Sequence, residues 1–102
     1  MPQPEMILRV RLKSALPHDE VIEIMEARAP EFAALAGLRQ KYYLHEPATG
    51  EYGGLYVWET RQDLDEYRES ELRATIAKAY QGVGEPDIEV YRIIKVLREE
   101  DA

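Results

Sequence analysis

The sequence predicts an α+β fold, a ferredoxin-like βαββαβ plait whose four-stranded antiparallel sheet carries its helices on one face and works as a dimer. Three observations carry that expectation. Segments of alternating polarity and segments of helical period follow in the order strand, helix, strand, strand, helix, strand. A short turn joins the middle two strands, so they pair as a hairpin. Two strands bear large apolar residues on both faces, which helices on one side of a sheet cannot cover.

Met6, Leu8, Val10 and Leu12 alternate with Ile7, Arg9, Arg11 and Lys13, giving a strand over 5–13. The break at 14–17 leads to Asp19 and Glu20, acids that favour a helix N-terminus. Val21, Ile24, Met25, Arg28, Phe32 and Leu35 then recur at helical spacing until Gly37, with Pro30 expected to kink or divide the helix. Residues 38–45 read as the second strand, 46–50 as a turn, and 52–59 as the third strand. Thr60 with Asp63 resembles a helix cap, and a second helical stripe runs from Leu64 to Tyr80, with Ser70 marking a break. Gly84, Glu85 and Pro86 form the next loop, 87–97 the last strand, and 98–102 a charged tail expected to fray.

In the third strand Leu55 and Val57 point one way, Tyr56 and Trp58 the other; in the last, Ile88, Val90, Ile94 and Val96 oppose Tyr91, Ile93 and Leu97. Leaving such side chains in water forfeits roughly 1.5–3 kcal/mol each, which a second copy packed on the open face would recover.

The 102 residues read as one domain, 1–102, with 45% hydrophobic and 32% charged residues, as in a globular protein. There is no cysteine, which excludes disulfides, thiolate metal sites and a cysteine nucleophile, and points to the cytoplasm. A net charge of −7 without a strong basic cluster excludes a nucleic-acid partner. The opening MPQPEMILRV lacks a signal-peptide pattern and no apolar stretch is long enough to span a membrane, so no membrane partner is expected.

The run from Gly37 to Leu44 and then Thr49 to Glu59, continued in Tyr67, Arg68, Glu69 and Ser70, resembles the YdhR-like monooxygenase family of the dimeric α+β barrel superfamily. That resemblance implies two ferredoxin-like subunits meeting sheet to sheet to form a dimeric α+β barrel. Better-understood relatives oxidise aromatic polyketides with dioxygen and neither metal nor flavin, placing the substrate with an asparagine and a tryptophan on the third strand. Trp58 matches the tryptophan; Gly54 stands where the asparagine would fall. Other superfamily members degrade haem, isomerise lactones or decompose chlorite, so fold alone does not fix the reaction.

Lys41 lies mid-strand, with Arg39, Tyr43 and His45 expected on its side. Its ammonium could hold a carboxylate, phenolate or enolate, or equally could pair with an acid. Tyr43, Tyr56, Trp58 and Tyr67 could wall a pocket for a flat apolar ligand or simply form core, while Tyr42 and Tyr91 are expected at an interface. Gly54, beside Gly53, suits a bulge or a close approach that makes room for a ligand. His18 and His45 lack metal-ligand spacing and no carboxylate pattern marks a metal site. The expectation is therefore a monooxygenase without cofactor, acting on a small aromatic or conjugated substrate. Lys41 and Tyr43 are its candidate catalytic residues, and Gly54, Tyr56, Trp58 and Tyr67 its candidate binding residues. The alternative is a non-catalytic dimer that binds a small molecule or haem.

Overall fold

The structure, a computed structural model, describes residues 3–98. Strand β1 (Met6–Ser14) is followed by helix α1 (His18–Ala33), strands β2 (Leu38–His45) and β3 (Tyr52–Trp58), helices α2 (Arg61–Arg68), α3 (Glu71–Ala74) and α4 (Ile76–Ala79), and strand β4 (Gly82–Arg92). The sheet order is β2-β3-β1-β4 with every neighbouring pair antiparallel. Met6, Leu8, Val10 and Leu12 of β1 are buried, as their alternation requires. They pack with Tyr56 and Trp58 of β3 against Phe32 of α1, Leu64 and Tyr67 of α2, and Ile76 of α4.

Two features correct the fold expected from sequence. The return from β3 to β4 divides at Ser70 as expected but comprises three short helices rather than two, beyond a simple plait. Ser70 causes the first division: its hydroxyl accepts from the Arg73 N–H at 3.2 Å and donates to the Tyr67 carbonyl at 2.6 Å, ending α2 and capping α3. Nor is the sheet closed into a barrel. It is an open sheet of four strands with β2 and β4 at its edges.

Smaller differences have local causes. Helix α1 runs through Pro30 to Ala33 in one piece, because Pro30 falls in the last turns and buried Phe32 anchors the end against the core. Strand β4 begins at Gly82 rather than Asp87 and absorbs the expected loop. Arg11 pairs with Asp87 and Lys13 with Val83, so residues 84–86 bulge from the ladder, with Gly84 at φ +75°. At its other end β4 stops at Arg92, where β1 has run out; the last bond is Ile93 N–H to the Glu5 carbonyl, 2.8 Å. Ile94 and Leu97 lie beyond it, 91% and 81% exposed. Residues 99–102 of the tail expected to fray lie outside the described residues.

Candidate active site

Strand register decides which side chains meet beneath the helices. Tyr56 lies opposite Leu8 of β1 and Lys41 of β2, and Gly54 opposite Val10 and Tyr43. Because Leu8 and Val10 face the core, Lys41 and Tyr43 also point toward the helices. A register shift between Leu38 and Gln40 displaces Arg39 from this series, and Arg39 instead meets Glu59 at 3.5 Å.

A cavity of about 40 Å³ opens between sheet and helices, room for about three waters. Lys41, Tyr43, Gly54 and Tyr56 line its sheet side; Met25, Phe32, Ile76 and Tyr80 supply helical wall. The Lys41 Nζ lies 3.4 Å from the Phe32 ring centre, 4.2 Å from Tyr43 and 4.5 Å from Tyr56. No ion pair joins Lys41 to an acid among the described residues, so no helix of the same chain supplies the acidic partner considered from sequence. Burial, and secondarily the Arg28 guanidinium, lower its pKa from 10.5 to about 7, leaving a large neutral-amine fraction at neutral pH.

Arg28 is held from α1 by the Leu72 carbonyl at 3.1 Å and the Thr75 hydroxyl at 3.0 Å, while its buried Nε has no hydrogen-bond partner among the described residues. Burial raises the pKa of Tyr43 and drives that of Tyr56 strongly upward, so both phenols keep their protons at neutral pH. The Tyr67 hydroxyl donates to the Tyr56 oxygen at 3.2 Å, leaving the Tyr56 proton available to another acceptor. Burial pushes the Tyr67 pKa up to about 12.

Lys41, Tyr43, Gly54 and Tyr56 therefore come together at one cavity. Trp58 and Tyr67 do not line it; they pack behind Tyr56, with ring centres 6.2 and 5.2 Å from it. The buried indole N–H of Trp58 has no hydrogen-bond partner among the described residues. Gly54 has a steric reason to be glycine: a Cβ there would lie 2.8 Å from the Tyr56 ring and 3.3 Å from Lys41 Cε. Lysine and tyrosine fill the space in which a side chain at 54 would project.

Sequence reasoning missed two groups. Arg28 interrupted the apolar stripe of α1, a signal that a charge faces the interior. His18 and His45 are far apart in sequence, but the fold brings their ring centres to 5.2 Å, and His18 Nδ1 lies 2.8 Å from the Tyr52 hydroxyl. Among the described residues no group of three or more histidine and acidic side chains is placed to hold a metal.

An open four-stranded α+β fold with a lysine-centred cavity defines the class of protein. The chain belongs to the family described as "Putative mono-oxygenase ydhR", which it matches over residues 7–100. Its fold is similar to that of a protein of unknown function, NE2512 from Nitrosomonas europaea, at 17% identity and a TM-score of 0.75, covering 97% of this chain and 98% of that one. It is also similar to SnoaB, a cofactor-independent oxygenase from Streptomyces nogalater, at 16% identity and a TM-score of 0.73, covering 94% and 99%. Rv0793 from Mycobacterium tuberculosis matches at 15% identity and a TM-score of 0.71, covering 92% and 99%. At these identities the likeness is one of fold. No protein of curated function matches in sequence.

Proposed function

We propose that the chain is a cofactor-independent monooxygenase acting on a small aromatic or conjugated substrate with an acidic C–H or O–H group. One observation carries this: the Lys41 amine faces the cavity among three aromatic rings, with no acid paired to it among the described residues. Family membership and the fold shared with SnoaB support the reaction class.

Lys41, as a neutral amine, takes a proton from the bound substrate and becomes an ammonium beside the resulting enolate or phenolate. Electrons then pass from that anion to dioxygen. One oxygen atom joins the substrate carbon and the other leaves as water, so the substrate itself supplies the reducing electrons. Tyr43 and Tyr56 donate hydrogen bonds to the developing oxyanion, and Phe32 and Tyr56 offer apolar surface to the ring. Trp58 and Tyr67 act on the substrate through Tyr56, against which they pack. A side chain at Gly54 would meet Tyr56 and Lys41, so the polar groups that orient the substrate here are Lys41 and Tyr43 of β2 with Tyr56 of β3.

The partner is a second copy of the chain, seated on the sheet face opposite the helices, where Tyr42, Leu44 and Tyr91 are 40%, 43% and 48% exposed. Cytoplasmic localisation fits the chain's lack of cysteine; among the described residues no helix is long and apolar enough to cross a membrane.

Anthrone under isotopically labelled dioxygen tests the reaction. The expected product is anthraquinone with one labelled oxygen, plus labelled water, formed faster than without protein. An unlabelled product, or a rate equal to the protein-free one, contradicts the proposal. The apolar cavity lining gives a non-catalytic binder some support, and anthrone bound stoichiometrically and released unchanged would favour it.

A further inference from the structure

A primary amine that faces a cavity, touches aromatic faces and has no acidic partner among the described residues has a second chemistry open to it. Lys41 Nζ is surrounded by Phe32, Tyr43 and Tyr56. The missing side chain at Gly54 leaves Lys41 Cε room that a Cβ would crowd at 3.3 Å. The charged group nearest in effect is cationic: Arg28 of α1, tied to Leu72 and Thr75, opposes protonation of the lysine. The remaining titratable groups around it, Tyr43, Tyr56 and Tyr80, keep their protons and offer no negative charge. A lysine desolvated beside a second cation is the arrangement that makes an amine nucleophilic.

We propose that Lys41 captures short aldehydes or ketones in this cavity as an imine. The Nζ lone pair adds to the carbonyl carbon, forming the C–N bond while the C=O π pair moves to oxygen. That oxygen takes a proton from the Tyr43 hydroxyl, which regains one from the nitrogen. The hydroxyl of that carbinolamine takes a second proton from Tyr43 as the nitrogen lone pair expels it as water, and Tyr43 regains the proton still on the nitrogen, so that amine and carbonyl give imine and water with no oxidation or reduction. Two features favour the class of ligand: the cavity of about 40 Å³ admits a short chain, and its apolar lining favours an uncharged compound. The capture uses the same amine as the oxygenase chemistry but no dioxygen, so either activity can fail without the other.

The test is reductive trapping under nitrogen at pH 7, with propanal and sodium cyanoborohydride, followed by mass mapping of the peptides. Lys13, Lys78 and Lys95 are exposed and serve as comparisons within the same chain. The expected result is a propyl group on Lys41 at least about tenfold faster than on those three, because an ordinary lysine is almost wholly protonated at this pH. The preference should vanish when the chain is unfolded in urea. Labelling of Lys41 no faster than the exposed lysines overturns the proposal, as does a preference that survives unfolding, since that would come from local sequence and not the cavity.

Discussion

Lys41 is where several physical effects converge, and its protonation makes two measurements sensitive to pH. Its folded pKa of about 7 lies below the unfolded value of 10.5. Below pH 7 both states hold the proton and burying the charge costs stability in full. Between 7 and about 10 only the unfolded chain holds it, so stability should rise with pH through that window. Urea titrations across the window should show this slope, and Lys41→Met should flatten it. Activity should follow the same group with the sign set by its role as base: kcat/KM rises as pH passes about 7 and reaches a plateau above it. An activity that falls over this range would make the ammonium, not the amine, the working form.

The neighbouring tyrosine pair separates a structural contribution from a chemical one. Tyr56→Phe removes the acceptor of the buried Tyr67 hydroxyl and should cost about 1–3 kcal/mol of stability. Adding Tyr67→Phe should cost less than the sum of the two single changes, because no unpaired hydroxyl then remains. Gly54→Ala pushes a methyl into the Tyr56 ring and toward Lys41, and should cost about 1–3 kcal/mol while reducing turnover. Denaturant unfolding, with turnover measured in parallel, checks all three.

At the scale of elements, the hydroxyl caps are small features with large consequences for the chain path. Thr60 accepts from the Asp63 N–H at 3.1 Å and starts α2, while Ser70 ends α2 and starts α3. Ser70→Ala should cost about 1 kcal/mol and loosen this return, measurable as faster amide exchange over residues 71–80. Much of this layer was readable from the chain. The alternation of Met6 to Leu12 gave the buried face of β1, and β2 occupies the residues its pattern suggested.

What could not be read was set by partners distant in sequence. Gly84 and Pro86 look like a loop until β1 is known to continue alongside them to Ser14. Pro30 looks like a break until Phe32 is seen buried beyond it. At the site, Lys41, Tyr43, Gly54 and Tyr56 could be chosen because alternation and the hairpin put them on one face. Arg28 and the His18–His45–Tyr52 cluster arise only when α1 lies across the sheet. Trp58 and Tyr67 carry the same aromatic signal as Tyr56, and only depth separates lining from backing.

At the scale of the whole molecule, the helix-free sheet face is the unfinished part. Tyr42 and Leu44 on β2 and Tyr91 on β4 give it apolar surface toward both edges, and it carries charged pairs in which Arg9 meets Asp87 and Glu89, and Arg11 meets Glu51 and Asp87. The apolar surface favours a second copy over solvent, and paired charges reduce the desolvation cost of covering the face. Native mass spectrometry should give twice the 11.8 kDa chain mass, and Leu44→Lys with Tyr91→Lys should return it to one chain without loss of secondary structure. A single-chain mass for the unaltered protein would leave that face to solvent.

The central claim is that the Lys41 amine drives dioxygen chemistry at this cavity. It is tested most directly with an oxygen electrode, comparing the native chain and Lys41→Met on hydroquinone and anthrone. Uptake above the protein-free rate by the native chain, reduced about a hundredfold or more in a folded Lys41→Met, is the expected result. Uptake equal in the two proteins, or absent from the native chain with both compounds, would contradict it.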